Sequence, residues 1–306
     1  MVSPVTAFDE CERSDYSSIA PLIFAGVPEK LAIKIRYRLG PYCGSIVSQV
    51  NERHEEIASA LPADLDALPR LGGFRLRGME MTRLETFIDA AFAFAISMLV
   101  IAAQQIPDNI QSLLAAFKNV PTFVCSIAVL GIYWRGHWLW SRRYGLEDGV
   151  STFISWAMIV TILIFIYPLK AIFGAMWYLL SSGHVGQRFS LHTTESQART
   201  IFAIYALGLI AISAEILLLN LRAWQLREPL RLNARERLMT RGELTGWSIP
   251  VSVGLVSLVF SFTLPIEKIA WCGWVYFLMA IILRVHWFWH TRRLKGEATG
   301  STGQCE

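Results

Sequence analysis

Charge is scarce in this chain. Asp, Glu, Lys and Arg make up only 17 % of 306 residues, and the net charge of +4 is too small for a surface that tracks nucleic acid. Cysteine is scarce too. The five residues Cys11, Cys43, Cys125, Cys272 and Cys305 are scattered, odd in number and form no CxxC pair, which excludes a disulfide framework or a thiolate metal centre. No HExxH, GxSxG or Cys/His cluster occurs, so neither an enzyme nor a bound cofactor or metal is expected. The first thirty residues lack a basic stretch followed by an apolar core, and no cleavable signal peptide is expected.

What is present is apolar length. Hydrophobic residues reach 54 % with eleven Trp, and mean hydropathy is +0.41. These values describe a membrane protein better than two soluble domains. A helix needs about 20 apolar residues to cross the hydrocarbon core. Segments 84–103, 119–141, 150–180, 199–221, 247–265 and 269–290 meet that requirement. The fold expected is an all-α membrane protein with six transmembrane helices. The third segment is long, and Pro168 with Lys170 is expected to bend or break it; a split there would give seven spans. Residues 1–80 read as a soluble N-terminal extension, 81–295 as the membrane domain and 296–306 as a flexible tail. Within the extension, Ala20 to Tyr42 is mixed and basic, Val47 to Leu61 suits a short amphipathic helix, and Leu61 to Pro69 suits a linker.

Arginines orient the spans. Arg70, Arg75, Arg77 and Arg83 precede the first, Arg142 and Arg143 follow the second, six arginines from Arg222 to Arg241 separate the fourth from the fifth, and Arg292, Arg293 and Lys295 follow the sixth. The loops 104–118, 181–197 and 265–268 carry few basic residues. With six spans this alternation places both termini in the cytoplasm, in the cell's inner membrane; with seven it fails. One echo is visible: Arg135 to Arg143 reads RGHWLWSRR and Arg284 to Arg293 reads RVHWFWHTRR. Related hairpins and two independent Trp belts both explain it.

The first span carries the chemistry. At about 100° per residue, Arg83, Phe87, Ala90, Phe94, Ser97, Met98 and Ile101 form one stripe, and Asp89 points about 140° away from it. An ionisable group at that depth is costly against lipid and needs a partner or water. Arg135 and His137 of the second span lie at a matching depth and are its candidate partners. Glu215, in the fourth span between Arg199 and Arg222, is a second intramembrane acid.

The run Arg83, Phe87, Asp89 followed by FAFAISMLVI resembles the RxxxFSD signature and first helix of the endolysosomal transmembrane potassium channel family and its prokaryotic members. The likeness extends through IYWRGHWLW to Tyr167–Pro168. It implies one six-helix repeat per chain and a homotetramer around a central pore lined by the first helix. Apolar rings at Phe94, Met98 and Ile101, with the hydroxyl of Ser97, would close or line that pore. It also implies conduction of K+ in preference to Na+ without a TVGYG filter, and none is found here. Arg83, Phe87 and Asp89 correspond to residues that pack the first helix against its neighbours. Two departures stand out: Ile88 replaces the family's Ser, and Phe94 replaces a branched aliphatic residue at the narrowest ring.

Other function classes remain in view. A proton-coupled secondary transporter would use Asp89 and Glu215 as protonatable sites. A sensor or scaffold would bind an unknown partner through residues 1–80.

Overall fold

The computed structural model describes residues 52, 54–59, 61, 62, 64–101, 108–186, 195–269 and 271–300. The chain divides after Pro62 into two units. In the first, residues 54–59 are helical, inside the stretch expected to form an amphipathic helix; the rest of that helix and the basic segment 20–42 lie outside the described residues.

The second unit opens with a small antiparallel hairpin, β1 (Arg70–Leu71) and β2 (Phe74–Arg75), paired Arg70 to Arg75 and Leu71 to Phe74. Helices follow: α1 (Arg83–Ile101), α2 (Ile110–Phe117), α3 (Val120–Tyr144), α4 (Gly149–Leu180), α5 (Glu195–Gln225), α6 (Ala234–Thr263) and α7 (Trp271–Gly300), with a 3₁₀ turn at Ile266–Lys268.

Local chemistry sets the helix ends. Thr82 Oγ1 accepts from the N–H of Glu85 at 3.1 Å, which satisfies one free donor at the start of α1. Asn109 with Ser112 and Asn233 with Glu236 form reciprocal capping boxes on α2 and α6. Helix α3 ends on Gly145 at φ 60°, where a side chain would also crowd the backbone of Arg77 and Gly78.

Among the described residues, α1, α4, α5, α6 and α7 are each long and apolar enough to cross a membrane. Helices α2 and α3 qualify together, bent by 40° at their junction. Of the bend or break expected at Pro168, the break does not occur: α4 runs as one helix from Gly149 to Leu180, as the six-span count requires. Neighbouring helices and local adjustment re-satisfy the carbonyl that a proline leaves free, which makes such prolines tolerable in membrane helices. Helix α7 continues to Gly300, into the segment expected to be a tail.

The core lies where α1, α3, α4 and α5 meet. Ile88, Phe92, Ala95 and Leu99 of α1 pack with Leu130 and Tyr133 of α3, Met158, Ile162 and Phe165 of α4, and Leu209 and Ile212 of α5. Two hydroxyls cross it: Tyr133 and Ser213 share a hydrogen bond of 2.9 Å. The two echoed runs sit in unlike surroundings. His137 and Trp140 are buried, with Trp140 Nε1 donating to Leu219 O at 2.8 Å, while Trp287 and Trp289 are exposed on α7.

At the arginine-rich end, β2 and the residues after it are bound to the first turn of α6. Glu236, fully buried, accepts from the backbone N–H of Arg75 at 3.0 Å and from its Nε and Nη2 at 3.0 and 2.9 Å. Arg77 Nη2 donates to the same carboxylate at 2.9 Å. The side-chain hydrogen bond to Glu236, opposed by burial, raises Arg75 above its ordinary value. Arg142 Nη1 donates to the carbonyls of Gly78 and Met79 at 3.0 and 3.1 Å. Residues 70–79 are thus a strap that leads into α1.

Candidate functional site

Helix α1 has three sides. Ile88, Phe92, Ala95 and Leu99 are buried in the core. Opposite them, Thr86, Phe87, Ala90, Ala93, Phe94, Ser97, Val100 and Ile101 form the open side of the helix within the single chain. Phe94 is 55 % and Ile101 69 % accessible, so large apolar side chains stand open along the helix. Met98, at the edge of this sector, packs against the core. Ser97 lies within it, its hydroxyl donating back to Ala93 O at 3.1 Å. The open sector is wider than the stripe read from the sequence and extends toward Ala93 and Val100.

The acids of α1 turn from that sector. Glu85 is buried, 2 % exposed, and Arg142 Nη2 stands 3.1 Å from it. Asp89 lies at the boundary between exposed and buried sides, and the indole Nε1 of Trp134 donates to its Oδ1 at 2.8 Å. The Asp–Arg or Asp–His contact expected with Arg135 or His137 is therefore replaced by an Asp–Trp contact. Arg135 is exposed. His137 is turned into the helix interior, where its Nε2 lies 3.1 Å from Ser155 Oγ of α4. Trp134 and Arg135 are adjacent, about 100° apart on the helix, and the rotation of α3 brings the indole to Asp89.

Of the remaining expected residues, Arg83 is exposed at the mouth of α1, and Phe87 stacks against Trp156 of α4 with ring centroids 5.0 Å apart. Glu215 of α5 accepts from Thr161 Oγ1 of α4 at 2.6 Å, which fixes it between two helices.

Three features escaped the sequence reading. Trp134 was hidden beside more conspicuous charges. Glu85 stands in the first turn of α1, and its spacing from Ile88 and Phe92 places it on the buried face. The strap lay in what read as an extension, its only sequence signal being the arginines ahead of α1. Together these interactions hold the base of α1 at two heights, by Arg142 on Glu85 and by Trp134 on Asp89, and leave the greasy sector free. Among the described residues there is no group of three His, Cys, Asp or Glu suited to a metal.

Known proteins resemble this chain in sequence and in fold. The sequence profile of the endosomal/lysosomal potassium channel TMEM175 matches residues 83–168. A potassium channel of Marivirga tractuosa is 29 % identical over 222 residues, covering 69 % of this chain and 88 % of that protein. A crystal structure of a variant of the potassium channel MtTMEM175, in complex with a Nanobody-MBP fusion protein, superposes with a TM-score of 0.64 at 26 % identity. It covers 74 % of this chain and all of that one.

Proposed function

We propose that this chain, a prokaryotic member of the TMEM175 potassium channel family, is a passive cation channel selective for K+ over Na+. Its relatives are channels, and the proton-coupled alternative gains no support from the geometry. Asp89 and Glu215, the two acids a carrier would use, are held by Trp134 of α3 and Thr161 of α4 at different places in the fold.

In the proposed assembly, four copies surround a central axis, each crossing the bilayer of the inner membrane six times with α2 and α3 acting as one span. The arginine-rich loops and both termini face the cytoplasm. The open sector of α1 faces the axis, with Phe94 forming the main constriction and Ser97 and Ile101 lining the passage beside it. Met98 closes the edge of the ring against its own subunit.

One observation carries this reading. The open sector of α1 is apolar along most of its length, while Glu85 is ion-paired with Arg142 and Asp89 accepts a hydrogen bond from Trp134 of the same chain. A helix facing an ion path uses that segregation to keep fixed charge out of the narrowest ring.

The test is ion flux from liposomes reconstituted with the purified chain. A K+ gradient should dissipate without an added ionophore, and a Na+ gradient should dissipate more slowly. Vesicles that stay sealed to both ions at every imposed voltage would refute the proposal.

A further inference from the structure

The junction between α5 and α6 carries a feature that conduction does not use. Trp224, in the last turn of α5, is flanked by two guanidinium groups: Arg227 Cζ lies 5.1 Å and Arg241 Cζ 4.8 Å from its ring centroid. Stacking occupies the face of a guanidinium and leaves its in-plane N–H groups free to grip an oxyanion. Arg227 spends one of these on Trp224 O at 3.1 Å and has Glu228 3.7 Å away. Arg241 is exposed and has no acidic partner among the described residues, and the same holds for Arg231 and Arg235.

Two acids of this stretch are engaged elsewhere, and the third, Glu228, is shared between Arg227 and Arg237. Glu236 is held by Arg75 and Arg77, Glu243 by Arg143 at 2.7 Å, and Glu228 by Arg237 at 3.1 Å. A surplus of positive charge therefore remains on one face. On the turns of α5 before Trp224, Leu221 and Leu218 are 39 % and 46 % exposed, turned about 60° and 120° around the helix from the indole. An interfacial indole with apolar side chains on its membrane side and guanidinium groups on its polar side matches the profile of a phospholipid, tail below and phosphate above.

We propose that Arg227, Trp224 and Arg241 form a specific site for the headgroup of an anionic phospholipid in the leaflet on the arginine-rich side, with an acyl chain lying along Leu221 and Leu218. The charge surplus and the apolar track together select a lipid over a soluble anion. The site lies next to the strap: the carbonyls of Leu230 and Arg231, in the same junction, accept from Arg77 Nε at 3.0 Å and Arg75 Nη2 at 2.9 Å. A bound lipid thereby steadies the segment that enters α1. The lipid site stands on its own geometry and holds whether or not the chain conducts.

The experiment is a thermal melt of the full-length purified protein in neutral detergent, titrated with phosphatidylglycerol, phosphatidylcholine or inorganic phosphate. Phosphatidylglycerol should raise the melting temperature saturably, and the other two should not. The double variant R227Q/R241Q should shift the half-saturating concentration upward about 30-fold, the combined effect of withdrawing two guanidinium groups from the headgroup. R292Q/R293Q is the control. Arg292 also stacks on an aromatic ring, Phe288, at 4.4 Å, and this variant should change the value by less than about twofold. An equal loss in both doubles would reduce the site to diffuse surface charge and overturn the proposal. An equal response to inorganic phosphate would overturn it in favour of a free-anion site. Should R227Q/R241Q fail to fold, native mass spectrometry of the unaltered chain decides: phosphatidylglycerol retained no better than phosphatidylcholine sinks the site.

Discussion

Trp134 donates its indole N–H to Asp89 at 2.8 Å, and this hydrogen bond joins α3 to α1 one turn above the point where Arg142 meets Glu85. A neutral donor leaves the carboxylate's charge in place while it fixes the rotation of the helix. The pair therefore sets which side of α1 remains open.

Replacing Asp89 with Ala removes the acceptor. We expect a loss of about 1–3 kcal/mol in helix packing, with impaired assembly visible as a shifted or broadened size-exclusion peak in detergent. Trp134→Phe should produce a similar loss, and the double variant should cost less than the sum because the two share one interaction. A normal oligomer peak for Asp89→Ala accompanied by altered ion preference would place the acid in the ion path instead.

Phe94→Ala shortens the largest exposed side chain in the middle of α1. The expected result is a wider ring and a single-channel conductance roughly severalfold higher, since an apolar constriction resists wetting more strongly as it narrows. Unchanged current in planar bilayers would mean that Phe94 faces lipid.

Glu236→Gln leaves Arg75 and Arg77 without their counter-charge. Breaking a buried ion pair by removing one partner costs about 3–5 kcal/mol. Chemical denaturation should therefore report a large loss of stability. Because the strap holds the base of α1, current should also become noisier or smaller in whatever protein still folds. Full stability in the variant would show that the hairpin is an ornament.

Glu215→Gln separates the channel from the carrier reading. The amide keeps a hydrogen-bonding atom toward Thr161, so folding and K+ flux should stay within about twofold of the original at every pH tested. Abolished flux, or loss of pH-driven uptake, would restore the carrier.

Much of this was legible in the sequence, and the exceptions share a cause. Apolar length located α1, α4, α5, α6 and α7, and the helical wheel separated Asp89 from Phe94, because both depend only on spacing along one helix. Choosing among Trp134, Arg135 and His137 as the partner of Asp89 required the rotation of α3, a tertiary quantity that adjacent residues cannot reveal. Charge made Arg135 and His137 conspicuous, yet the first is exposed and the second hydrogen-bonds to Ser155. At Pro168 local propensity left a bend or a break open; the arginine alternation favoured the unsplit span, and α4 is unbroken there. The strap was unreadable because two-residue strands have no periodicity; its existence depends on Glu236, far along the chain.

That distance has a mechanical consequence. The strap at the entrance of the first helix is suspended from a carboxylate 161 positions downstream of Arg75, so the segment that would dilate or narrow the proposed conduit is not free to tilt alone. Any rocking of the later helices is relayed to its foot through a pair of rigid guanidinium tethers, and the compliance of the whole mouth is set by how firmly that distant anchor holds.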